Sequence, residues 1–296
     1  MSNSTYSKRN VPNIWGMAGV FPGTLGVYNE GDVFANKLRF VAERGFHEAS
    51  IPVEALSNPK RRKVVDNLRT GFGIGFQVGL HPDLDADPDT QSKSLNQQAD
   101  QIVAAPEGLD IQVVPVVVPG GRHRFQRDMP LDQQLDRLER LLTPVAARLA
   151  EAGIKPTIEN HGDYYVSDLV ELCHRVPGLF LMLDTGNCFL IGERPDLIPD
   201  EAYPLIYNTH FKDHDVAPSA KDLNFQLVGA TLGEGQVGLE SMYKKLLDLH
   251  PDPASVHLTI EWVPDPEKDA IDCLNTSLSF LERLSGGTFT PTPFSL

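Results

Sequence analysis

The chain is poor in cysteine, in basic charge and in long apolar runs, and each shortage removes a class of function. Its three cysteines, Cys173, Cys188 and Cys273, are odd in number and far apart, so neither a disulfide framework nor a CxxC zinc or redox site is expected. Lysine and arginine total 26 against 40 acidic residues, and the resulting charge of −14 disfavours nucleic acid or an anionic membrane as a partner. No run reaches the roughly 18 apolar residues that a membrane-spanning helix needs. The amino-terminal MSNSTYSKRNVPNIW lacks an apolar core of signal-peptide length, so a cytoplasmic location is expected. No GxGxxG or Walker-type loop follows the first predicted strand, and no nucleotide cofactor is expected.

What the chain does have is alternation. Hydrophobic residues make up 41%, enough for a full-sized core. Short β-rich runs at 13–18, 46–51, 73–80, 111–118, 155–159, 179–184, 205–210 and 256–261 read as strands. Helical period follows them at 32–44, 59–70, 94–104, from Leu131 to Gly153, and at 166–176, 195–203, 239–249 and 269–284. The helix opening at Leu131 is the clearest, with Leu135, Leu138, Leu142, Val145 and Leu149 on one stripe and Pro144 expected to kink it.

Strands and helices in strict alternation require a parallel sheet with right-handed crossovers. Eight units and no linker favour a single (β/α)8 barrel over 13–284, with an extension at 1–12 and a carboxy-terminal tail at 285–296. The tail reads as a surface arm or a flexible end.

Catalytic groups of such barrels stand at the carboxyl ends of the strands. Strands five to eight end in Glu159, Asp184, His210 and Glu261, each where apolar strand gives way to polar loop. Side chains alternate along a strand, so Ile158, Leu183 and Ile260 face the helices while the three acids face the barrel mouth. Three converging carboxylates repel unless a cation joins them, and His210 completes a hard ligand set. Mn2+ suits it best, with Mg2+, Co2+ or Zn2+ as alternatives. Open coordination positions would suit adjacent oxygens of a hydroxy-ketone.

The segments IENHG (158–162), LDTGN (183–187), THFKDHD (209–215), GEG (233–235) and IEW (260–262) resemble those of the xylose isomerase-like barrels. That family includes sugar isomerases and epimerases and, more distantly, an abasic-site endonuclease. The resemblance runs from about Asn13 to Leu284. It implies that Glu159, Asp184, His210 and Glu261 bind metal, and that Glu159 and Glu261 are the catalytic acid/base pair on opposite faces of a carbohydrate substrate. Two departures stand out. The family's ketose 3-epimerases carry a histidine where this chain has Asn187 and an arginine where it has Val216.

Proton transfer beside a carbonyl, through a metal-stabilised enediolate, is the expected chemistry. A lyase on the same site and a non-catalytic sugar-binding barrel are the alternatives, and a nuclease is disfavoured by charge. Asn187, Lys212, His161 and His81 are the candidate substrate contacts. Lys212 either holds a substrate oxygen or pairs with Asp213, and His161 is either a substrate group or a loop histidine. His214 is a further side chain near the mouth, Glu234 reads as an acid that orders its loop, and Cys188 as a small buried residue. Arg122, His123 and Arg124 either bind an acidic substrate group or form a solvated loop. A homo-oligomer is the default expectation.

Overall fold

The computed structural model describes residues 10–19, 25, 31–105, 108–118, 124–161, 164–219 and 225–295. The glycine- and proline-rich loop after the first strand, Arg122 and His123 lie outside the described residues, as do most of the amino-terminal extension and Gly162.

Eight parallel strands close into a barrel. In chain order they are β1 (Ile14–Ala18), β2 (Glu48–Pro52), β3 (Gly75–Gly79), β4 (Val113–Val116), β5 (Lys155–Glu159), β6 (Phe180–Asp184), β7 (Ile206–His210) and, as the eighth staple of the ring, β10 (His257–Glu261). Hydrogen bonding runs β3-β2-β1-β10-β7-β6-β5-β4, and a parallel bridge between Leu80 and Val116 joins the two ends.

The helices around this ring start and stop where local chemistry says they should. In α1 (Val33–Glu43) the Asp32 carboxylate accepts from the Phe34 and Ala35 N–H groups, and Gly45 leaves the helix with φ of +80°. Between β2 and β3 lie α2 (Glu54–Ser57) and α3 (Pro59–Phe72). Helix α4 (Pro88–Val103) begins six residues before the expected 94, because Asp87 caps it and Pro88 sits in its first turn. Helix α5 (Leu131–Glu151) buries the expected leucine stripe, and Pro144 lies inside it without ending it. Helices α6 (Val166–Arg175), α8 (Leu239–Leu249) and α9 (Ala270–Leu284) complete the described set, apart from α7 below.

Three features depart from strict alternation. The helix expected at 195–203 is instead a pair of 3-10 turns, Pro195–Leu197 and Asp200–Leu205. Pro195, Pro199 and Pro204 remove backbone donors too often for an α-helical ladder to persist. The crossover from β6 is opened by a short helix, α7 (Thr185–Leu190), and an antiparallel hairpin of β8 (His214–Pro218) and β9 (Phe225–Gly229) is inserted after β7.

Parity along the strands holds. Ile158, Leu183 and Ile260 are fully buried in the apolar layer between sheet and helices. The barrel interior is polar instead. Gln77 donates to Glu48 Oε2 and Thr259 Oγ1 (both 2.8 Å) and accepts from Asn208 Nδ2 (3.0 Å), while His257 Nδ1 meets Glu48 Oε2 at 2.8 Å. A buried network of this kind is favourable only when its members are paired, as these are. Gly16 is required beside it, since a Cβ there would lie 2.7 Å from Thr259 Oγ1.

The tail is an arm, and it is packed. Phe289 stacks on Trp15, Phe294 packs on Phe40, and the Thr292 N–H donates to the Arg44 carbonyl. No helix among the described residues is long and apolar enough to cross a membrane.

Candidate metal centre

Glu159, Asp184, His210 and Glu261 end β5, β6, β7 and β10, and the closed ring turns all four toward one mouth. His210 Nδ1 lies 2.8 Å from Glu159 Oε1 and 3.7 Å from both Asp184 Oδ2 and Glu261 Oε2. The ligand atoms of Glu159, Asp184 and His210 all fall within 4.8 Å of one another. Donor atoms held about 2.1 Å from one octahedral cation lie roughly 3–4 Å apart, so these separations suit a shared divalent ion. Three carboxylates and one imidazole are also the donor chemistry such an ion takes.

Several residues of the segments singled out in the sequence have a local physical task here. Asp184 caps α7, its Oδ1 accepting from the Asn187 N–H at 2.8 Å, which leaves Oδ2 turned to the centre. Asn187 Nδ2 reaches Glu159 Oε1 at 3.5 Å. Thr185 locks β6 to the chain after β7: its hydroxyl donates to the Lys212 carbonyl (2.7 Å) and accepts from the Lys212 N–H (2.9 Å). Gly186 must be bare, because a Cβ there would lie 2.5 Å from Lys212 Cγ and 2.7 Å from His214 Nε2. Likewise the φ of Gly19 is +65°, and a Cβ on it would meet Glu261 Cγ at 2.7 Å.

Lys212 does not pair with Asp213. Its Nζ lies 2.8 Å from Asp184 Oδ2 and 2.6 Å from Glu261 Oε2. Asp213 instead accepts from the N–H groups of His214, Gly233, Gly235 and Val237, so it ties down the GEG loop. Burial pushes its carboxyl up, and those four bonds only partly oppose the shift. Glu234, expected to order that loop, is exposed and pairs with Lys268 at 2.9 Å. Nothing in the sequence marked Asp213 for this task, since three of its four partners are backbone groups 20 to 24 residues on.

The electrostatics follow from crowding. Burial pushes the Asp184 carboxyl up, but His210 and Lys212 more than offset it and hold the group down, to about 2. Burial pulls His210 down, and the Glu159 and Asp184 carboxylates outweigh it, raising the imidazole to about 10. Lys212 is likewise penalised by burial and raised by Asp184 and Glu261. The cluster therefore favours positive charge at its centre.

The remaining candidates divide. Asn187 and Lys212 join the cluster. His161 and His81 make no hydrogen bond to the four strand-end residues; the Nδ1 of His161 is buried without a hydrogen-bond partner among the described residues, and the ring of His81 rests over Gly79. Arg124 is neither solvated nor free, since it pairs with Asp168 at 2.8 Å and stacks over Tyr165. Cys188 is buried, accepts from Asn160 Nδ2 at 3.2 Å, and has its thiol pushed up chiefly by burial. His214 holds its Nδ1 3.0 Å from the Val228 carbonyl while its Nε2 is buried without a hydrogen bond.

Several solved structures share the fold at low identity. The 3-keto-D-glucoside 4-epimerase YcjR from E. coli is 14% identical with a TM-score of 0.66, covering 91% of this chain and 98% of its own. A xylose isomerase-like TIM barrel protein from Mycobacterium smegmatis, in complex with magnesium, is 14% identical with a TM-score of 0.65, covering 97% and 100%. The "probable 3-DHS dehydratase AsbF" from Bacillus anthracis is 14% identical with a TM-score of 0.60, covering 93% and 97%. No curated protein sequence matches the chain. The family model for the xylose isomerase-like TIM barrel matches residues 38–281, and the chain belongs to that family.

Proposed function

We propose that this protein is a divalent-metal-dependent isomerase or epimerase of a sugar or keto-sugar. The observation that carries the reading is a pair of carboxylates, on β5 and β10, that lie 2.8 and 3.7 Å from the same imidazole nitrogen with Asp184 beside them. Glu159, Asp184, His210 and Glu261 would hold the cation, with Mn2+ favoured over Mg2+, Co2+ and Zn2+ by the oxygen-rich donor set. When bound, the cation supplies Lewis acidity toward carbonyl and hydroxyl oxygens.

The protein's own groups move the proton. One of Glu159 and Glu261 takes it from the carbon beside the carbonyl, and the other returns it to the same or the neighbouring carbon. The Glu261 side chain is 30% exposed and that of Glu159 only 2%, so Glu261 meets the substrate first from the mouth. Asn187 and Lys212 are placed to hold substrate oxygens, and His161 and His81 border the opening. Epimerase and dehydratase neighbours on the same fold are consistent with proton abstraction beside a carbonyl.

Incubation with a panel of ketoses and keto-sugars in D2O, with metal present, tests this. Deuterium should enter at the carbon beside the carbonyl, and its absence from every substrate and product would sink the reading. A lyase outcome is favoured by one observation, the unbonded Nε2 of His214, which in the cationic ring offers a third group able to give a proton to a departing hydroxyl, the ring keeping its Nδ1–H on the Val228 carbonyl. An unsaturated product absorbing in the ultraviolet, in place of a stereoisomer, marks that case.

A further inference from the structure

Lys212 has a relationship to the ligand set that proton transfer does not require. Its ammonium lies on Asp184 Oδ2 and Glu261 Oε2, at 2.8 and 2.6 Å. These are the two oxygens that stand 3.7 Å from His210 Nδ1, the spacing of neighbours around one cation. A fixed monovalent cation and an incoming divalent one therefore claim the same oxygens.

The lysine is built into this position. Its backbone is held at both its N–H and its carbonyl by the Thr185 hydroxyl, its stem crosses the bare face of Gly186, and it is 9% exposed. Charge gives the arrangement its sense. When a metal is bound the imidazole is neutral, and the three carboxylates then carry a surplus of three negative charges. Lys212 trims that surplus to two, which a divalent ion then cancels. Without any cation, three acids this close would push one another apart or take up protons.

We propose that Lys212 is a built-in counter-ion that keeps Asp184 and Glu261 assembled in the metal-free protein and competes with the divalent cation for them. The metal is then held less tightly than its four ligands alone would hold it, and the site stays formed when the metal leaves. This rests on the metal reading above.

The test is titration of the metal-free full-length protein with Mn2+, free ion being read by electron paramagnetic resonance, for wild type, Lys212→Met and Lys212→Gln. Both neutral variants should bind Mn2+ at least tenfold more tightly than wild type. In chelator they should melt below wild type, and Mn2+ should raise their Tm by more than it raises that of wild type. Unchanged or weaker Mn2+ binding by the folded variants overturns the counter-ion role. Wild type that binds Mn2+ while the variants gain nothing sinks only this inference, whereas wild type that binds no divalent ion sinks the functional reading as well. If neither variant folds, 15N spectra of wild type decide. The slowly exchanging ammonium signal of an ion-paired lysine should shift on addition of Mg2+, and a signal unmoved at saturation overturns the proposal.

Discussion

Asn160 grips the backbone of Asp184 from both sides. Its Oδ1 accepts from the Asp184 N–H at 2.7 Å and its Nδ2 donates to the Asp184 carbonyl at 3.0 Å. The residue after one candidate ligand thus fixes where the next one starts its loop. Asn160→Ala leaves the buried Asp184 N–H without this partner, which costs about 1–3 kcal/mol, while the Asp184 carbonyl keeps the first bond of α7. Outer partners of a ligand commonly carry 10- to 100-fold in metal affinity, so Mn2+ binding should weaken by about that factor. Denaturant unfolding and Mn2+ titration of the variant check the two effects separately. Full metal affinity in Asn160→Ala would show that the grip is structural only.

A matched pair of glycines separates close approach from helix propensity. Gly186→Ala puts a methyl 2.5 Å from Lys212 Cγ and 2.7 Å from the His214 ring, so the Lys212 stem or the ring, each anchored by its own hydrogen bond, must shift. Overpacking of this kind costs about 1–3 kcal/mol, and the displaced Lys212 should lower deuterium exchange at least about tenfold. Gly71, inside α3, has nothing within 4 Å of its added Cβ. Gly71→Ala should therefore stabilise the protein by about 0.5–1 kcal/mol with exchange unchanged. Equal behaviour of the two variants, by thermal melt and exchange rate, would contradict the close-approach argument.

The convergence of the strand-end acids was legible in the sequence because parity is rigid: once Ile158, Leu183 and Ile260 are assigned to the helical side, the acid after each has one direction left. Register did the rest, pairing Asp184 with His210 across β6 and β7 and Ala18 with Glu261 across β1 and β10. What stayed hidden depends on contacts distant in sequence. Lys212 next to Asp213 looks like a local ion pair, yet strand geometry turns Lys212 to the metal centre and Asp213 to the GEG loop. The hairpin carrying His214 stayed hidden because its strands, HDVAP and FQLVG, have no fully buried residue and so no apolar run to mark them. The polar interior was equally hidden, since Glu48, Gln77, Asn208 and Thr259 lie on four separate strands and acquire meaning only as partners.

Two histidines near the other end of the barrel set its acid limit. His47 Nδ1 accepts from the Trp15 N–H at 3.0 Å, and His250 Nδ1 accepts from the Asp252 N–H at 3.1 Å. Both bonds need a neutral ring, and burial lowers both groups from their ordinary 6.5. As pH falls through 6.5 the unfolded chain takes up protons at these positions while the folded chain does not, so stability is lost on acidification and not on raising the pH. The Tm should fall between about pH 6.5 and 5, and the double variant His47→Gln, His250→Gln should flatten that slope. A slope of the same size in the double variant would assign the acid loss elsewhere.

The tail packs in the apolar layer at the amino end of the barrel, opposite the candidate ligand set, and this separates stability from chemistry. Phe289 is 2% exposed, stacks on Trp15 with centroids 5.0 Å apart and planes within 3°, and also lies 5.2 Å from Phe46. The N–H of Phe294 donates to Asn275 Oδ1 (2.7 Å) and its carbonyl accepts from Asn275 Nδ2 (2.9 Å), so the arm is pinned to α9 beyond its aromatic anchor. Removing a buried phenyl side chain costs about 3–5 kcal/mol, and Phe289→Ala should lose stability in that range. Because Trp15 and Phe46 stand at the amino ends of β1 and β2 while Glu159, Asp184, His210 and Glu261 stand at the carboxyl ends of theirs, Mn2+ affinity should stay within twofold of wild type. Denaturant unfolding and metal titration of the same preparation decide it. A loss of metal affinity as large as the loss of stability would mean that the two ends of the barrel are coupled through its polar interior.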